Sequence, residues 1–115
     1  MPSNRFRLIA LSLPGTIEAS HQGHPDFRVG KRIFATLGYP DEGWGMVKLT
    51  PEQQFVLVEA EPGIFRPVPG GWGKHGNTNV RLAKADRTTL RSALTLAWRN
   101  IAPKSLLKAH EKTTP

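Results

Sequence analysis

Apolar positions recur along this chain with two different periods, and the points where one gives way to the other mark its elements. Near the start, Phe6, Ile9, Ala10 and Leu13 share one side of a helical wheel. Ser3 or Asn4 stands ahead of them as a cap, and Pro14-Gly15 ends the run. From Thr16 to about His21 the chain reads as extended, leading into a Gly/His/Pro loop at Gln22 to Pro25. The period then falls to two. Phe27 and Val29 alternate with Asp26 and Arg28, while Ile33, Ala35 and Leu37 alternate with Arg32, Phe34 and Thr36. Gly30-Lys31 between them is a two-residue hairpin connection. A turn from Gly38 to Gly43 precedes a further strand, Trp44 to Leu49, with Val47 and Leu49 opposite Met46 and Lys48.

Thr50-Pro51-Glu52-Gln53 then starts a helix: Thr50 caps, Pro51 suits the first helical position, and Gln53 completes a capping box. Phe55-Val56-Leu57-Val58 has the propensity of a buried strand. The cap ahead of it and Glu59-Ala60-Glu61 before Pro62-Gly63 favour a helix instead. Short extended pieces, Ile64 to Val68 and Asn79 to Ala83, flank a glycine-rich loop in which Trp72 is expected to be a buried anchor. Asp86 caps the last long helix, with Leu90, Ala93, Leu94, Ala97, Trp98 and Ile101 inward. Pro103 breaks it, and a short turn carrying Leu106 and Leu107 is expected behind it. The predicted order is α-β(3)-α-β(2)-α, a two-layer α+β arrangement with an antiparallel sheet and helices on one face. No linker or repeat divides the chain, so residues 1–115 read as one domain.

With Val29, Ile33, Ala35, Val47, Leu49, Val80 and Leu82 turned to the helices, alternation puts Arg28, Arg32, Phe34, Trp44, Met46, Lys48 and Arg81 on the open face. Net charge sharpens that picture. Sixteen Lys and Arg against nine Asp and Glu leave +7, which favours polyanionic partners through phosphate attraction and counterion release. Cations interleaved with aromatics suit phosphate contact and base stacking. Lys31 at the hairpin tip, and Lys74 with His75 in the later loop, extend the face as two wings.

Other chemistries find little support. Pro69 to Gly76 departs from a phosphate-binding loop, because Val68 and His75 stand where glycine and Ser or Thr are required. His21-x-x-His24, even with His75, falls short of a zinc set, and the chain has no cysteine, so no metal or other cofactor is expected. The carboxylates sit at caps and turns and no serine has a nucleophile-elbow setting, so a non-enzymatic role is expected. The apolar stretch Leu8 to Leu13 is too short to span a bilayer, which points to a cytoplasmic protein.

Leu11-x-Leu13-Pro14-Gly15, the run Arg28 to Ala35, Gly71-Trp72-Gly73 and Ala97-Trp98…Ala102-Pro103-Lys104 together resemble the MmcQ/YjbR-like family of small bacterial α+β proteins. The resemblance covers roughly Leu8 to Leu107 and implies the same order of elements. It also implies DNA binding in a double-wing mode; joined to the basic face and wings read above, the expectation is low-specificity DNA binding by Arg28, Lys31, Arg32, Lys48, Lys74, His75 and Arg81. The implied fold is similar to that of small secretion chaperones too. The alternative expectation is therefore a protein-interaction module or homodimer using the same sheet face. Trp44, Phe34 and Met46 discriminate: framed by cations they favour a polyanion, and as a continuous apolar patch they favour a protein.

Overall fold

The computed structural model describes residues 2–38 and 41–113 of the chain. Helix α1 (Pro2–Ser12) buries Phe6, Ile9 and Ala10 on the face the spacing predicts, with Leu13 just past its end. The extended stretch after Gly15 is a full strand, β1 (Ile17–His21), paired along its length with β2 (His24–Val29). Gln22 and Gly23, both at positive φ, close that hairpin in two residues. Where the sequence suggested three strands before α2, there are four. Gly30-Lys31 closes the β2–β3 hairpin as expected, both residues at positive φ, and β3 runs Arg32–Leu37. Of the predicted turn that follows, Tyr39 and Pro40 lie outside the described residues. Strand β4 is Trp44–Lys48.

Helix α2 (Pro51–Ala60) starts on the predicted capping box, Thr50 Oγ1 accepting from Gln53 N and Gln53 Oε1 from Thr50 N. It is an outlying helix: Leu57 and Val58 touch the core while Phe55 and Val56 are exposed. Strand β5 (Phe65–Pro67), a one-turn helix α3 (Gly71–Lys74) and β6 (Asn77–Arg81) follow. Flanking β5, Ile64 O accepts from Arg81 N and Val68 N donates to Asn77 O, and the outward Phe65 N–H is taken by Glu61 O. Helix α4 (Arg87–Ile101) starts on Asp86, whose Oδ1 accepts from Thr89 N, and buries Leu90, Ala93, Leu94, Ala97 and Trp98. Ile101 is only partly buried. The expected short turn is a helix, α5 (Lys104–Thr113); residues 114–115 lie outside the described residues.

The six strands form one antiparallel sheet in the order β1-β2-β3-β4-β6-β5. Phe27, Ala35, Val47, Leu37, Val80 and Phe65 face α1 and α4 and form the core between the two layers. Trp98 is its largest buried side chain, and its indole N–H donates to Pro14 O at 2.9 Å, tying α4 to the end of α1. The architecture is α+β, with the extra strand β1 and helices α3 and α5 added to the predicted order.

Candidate nucleic-acid interface

The cross-strand register places the open face residue by residue. Asp26 stands opposite Thr36, Thr36 opposite Met46, Met46 opposite Asn79 and Asn79 opposite Arg66, one row across five strands. Beside it, Trp44 is opposite Arg81, and Lys48 is opposite Asn77. The Arg66 guanidinium lies 4.2 Å from the centre of the Trp44 ring and that of Arg81 5.2 Å. Both are within cation–π range. No carboxylate pairs with Arg66, Arg81 or Lys48 among the described residues. Arg66 is absent from the sequence-predicted site; Phe65-Arg66 in a short extended piece carried the only signal for it.

Near the β1 edge the face carries a different cluster. Asp26 is fully buried and receives Arg28 Nε at 2.7 Å, Arg28 Nη2 at 3.1 Å and His21 Nδ1 at 2.7 Å. The Arg28 guanidinium holds the Asp26 carboxyl below its ordinary value, with a further contribution from His21, against the opposing effect of burial. The carboxylate in turn pushes the Arg28 guanidinium further up. Much of the Arg28 charge is therefore already matched within the protein.

A concavity of about 620 Å³ opens on this face between the β1–β2 hairpin and the β5–α3 connection. His21 and His24 stand at one end, Val68, Pro69 and Trp72 at the other, and Met46, Lys48, Arg66 and Asn79 line it between them. Asn79 is 1% exposed and its Oδ1 has no hydrogen-bond partner among the described residues. Among the described residues no group of three or more His, Asp or Glu is arranged to hold a metal ion.

Several sequence-based placements change. The register slips between Phe27 and Arg28: Phe27 faces Ala35 but Arg28 faces Ile33, so Phe34 and Ala35 together oppose one residue of β2. This bulge turns Phe34 into the core beside Ala35 and moves Ile33 to the open side, reversing the expectation for both. Arg32, paired with the core residue Val29, stands at the margin of the helix-covered side rather than beside Arg28. Lys31 does occupy the hairpin tip, but neighbouring Gly30 sits against the Pro103 ring, so this wing leans on the α4–α5 junction. Lys74 ends α3 and His75 caps it, both exposed, at the same end of the sheet as Lys48 and Lys31.

Trp72 is not an anchor: it is 69% exposed. The glycines around it hold the loop instead. A side chain at Gly73 would overlap the Val68 carbonyl, and one at Gly76 the Leu49 carbonyl, so backbone packs directly on backbone. Gln54 Nε2 donates to Gly73 O and Asn77 Nδ2 to Trp72 O, fixing α3 from both sides.

A six-stranded antiparallel sheet backed by helices, with a cationic open face, defines the class of protein. The family model described as YjbR matches residues 11–100. The chain belongs to the YjbR family. A crystal structure of Deinococcus radiodurans protein DR2400, with a domain described as DUF419, shares the fold at a TM-score of 0.74 and 22% identity. The match covers 97% of this chain and 88% of that one. No curated protein matches the sequence significantly. No helix among the described residues is long and apolar enough to cross a membrane.

Proposed function

We propose that this protein is a non-enzymatic, low-specificity DNA-binding protein that uses the open face of its sheet. The observation that carries the reading is the set of cations without carboxylate partners, Arg66 and Arg81 over Trp44 with Lys48 on the same face. Such cations release counterions when they meet phosphates, and the Trp44 ring beneath Arg66 and Arg81 holds both guanidiniums on the open face. Lys74 lies at the same end of the sheet as Lys48 and adds a further cation there. The protein-interaction reading of this face relied on Phe34, Trp44 and Met46 forming an apolar patch. Phe34 is in the core and Trp44 lies under two guanidiniums, which leaves the balance with a polyanion.

The test is anisotropy of a labelled duplex titrated with the protein at moderate salt. Arg66→Ala with Arg81→Ala should weaken binding clearly, and Arg87→Ala with Arg91→Ala on α4 should do much less. Equal losses would reduce the effect to attraction by net charge. No binding by the unmodified protein would remove the proposal.

A further inference from the structure

Strand β1 forms one margin of the sheet, and its pairing with β2 fixes which of its backbone groups are spent. Gln22 and Gly23, both at positive φ, make a two-residue hairpin, so His21 and His24 exchange both of their bonds. Opposed residues of an antiparallel pair alternate between bonded and non-bonded. Ser20, opposite Pro25, is therefore turned away from β2, which suits a neighbour with no N–H to give. Glu18, opposite Phe27, is turned away likewise. No turn, loop or capping bond engages the backbone of Glu18 or Ser20 among the described residues. A shallow depression lined by Glu18, Ala19, Ser20, Gly23 and Pro25 runs beside them. The margin is uncovered, with the N–H and C=O of both residues facing solvent.

These groups complement themselves. Laid antiparallel on a second copy and centred on Ala19, β1 sets Glu18 of each copy against Ser20 of the other. Every outward N–H of the two strands then meets an outward carbonyl. Ala19 faces Ala19 at a non-bonded pair, where strands come closest and a small side chain fits. Centring on Glu18 opposes like charges instead, and centring on Ser20 moves Glu18 onto the turn residue Gln22. In the Ala19 register Ile17, 60% exposed on the open side beside Arg28, packs against His21 of the other copy. We propose that this protein pairs with a second copy of itself through β1, in the register centred on Ala19. The two-fold axis stands perpendicular to the sheet, so both open faces look the same way and form one surface. The pairing is independent of the nucleic-acid reading, because it is read out as mass.

Sedimentation equilibrium of the full chain tests it, over concentrations reaching the millimolar range and at moderate salt, which screens the +7 on each copy. The mass should rise from that of one chain to that of two. Ser20→Pro removes an outward N–H and sets a ring in the path of the incoming strand, at an edge position where proline is tolerated. It should weaken association by about tenfold or more, the donor being lost from both copies, with the circular dichroism spectrum and melting temperature kept. Ala19→Cys, in a chain with no other cysteine, should form a disulfide-linked dimer under mild oxidation, because opposed non-bonded positions lie within disulfide reach. Ile17→Cys should not, since it and its copy are displaced by on the order of 13 Å along the strands. A chain that stays monomeric throughout, a dimer unaffected by Ser20→Pro, or equal cross-linking at both cysteine positions overturns the proposal. If the proline variant misfolds, the cysteine comparison decides alone.

Discussion

Two tryptophans in this chain have opposite fates, and the neighbouring residues decide which. Trp98 recurs at helical spacing with Leu90, Ala93, Leu94 and Ala97, so its inward direction is legible from the sequence; it is fully buried and bonded to Pro14 O. Trp98→Ala should lower stability by about 3–5 kcal/mol in denaturant titrations, through lost burial and the cavity left behind. Trp72 sits between glycines with no period around it, and its exposure follows from close backbone approaches that sequence patterning does not encode. Phe34 was misplaced for a related reason: one bulge residue reverses the alternation, and nothing in Ile33-Phe34-Ala35 marks where the slip falls. The Asp26 cluster makes a pH-dependent prediction. Its carboxyl is held below its ordinary value of 3.8, so the stability it confers is present above that value and lost as pH falls through its lowered one. Arg28→Ala should therefore cost about 1–3 kcal/mol near neutral pH, by leaving buried carboxylate oxygens short of donors. The gap between variant and parent should narrow below about pH 4 as Asp26 protonates. A gap constant from pH 7 to pH 3 would assign the loss to packing of the arginine stem instead.

At the level of elements, capping chemistry carried more information than propensity. Phe55 to Val58 would pass as a strand, yet Thr50, Pro51 and Gln53 made the helix legible, and both bonds of the capping box are formed. Thr50→Ala should destabilise the protein by about 0.5–2 kcal/mol, measured by thermal or urea unfolding, because a first-turn N–H loses its acceptor. The effect should be larger than that of an alanine at exposed Glu52. Strand β1 was legible as extended chain but not as a paired strand. It lies at the sheet margin with little buried on either side, so it lacks the alternation that betrays β2 and β4. Helix α5 was reduced to a turn because only Leu106 and Leu107 announce it, whereas its residues Lys104 to Thr113 continue the helix through polar sequence. The row from Asp26 to Arg66 could not have been assembled without the order β4-β6-β5, since β5 precedes β6 in the chain but lies outside it.

For the molecule as a whole, the surplus of +7 makes some salt-dependent attraction to any polyanion unavoidable, so the slope is more informative than affinity. Each cation that neutralises a duplex phosphate contributes roughly 0.9 to the logarithmic salt slope. Replacing Arg66 and Arg81 with alanine should flatten that slope by about one to two units. Replacing Arg87 and Arg91 should hardly change it, although both pairs alter the net charge equally. The two margins of the sheet also differ in a way that bears on self-association. On β5 the outward Phe65 N–H is already engaged by Glu61 O, and the next outward position is Pro67, whose ring nitrogen carries no hydrogen. That margin offers a neighbouring strand no donor within the element. The β1 margin has no proline and remains open along five residues. A strand added to β5 would therefore meet acceptors but no free donor within the element, whereas one added to β1 would find both. Pairing of β1 with β1 would use up the better-equipped margin of both molecules and so favour a symmetric pair over a growing sheet.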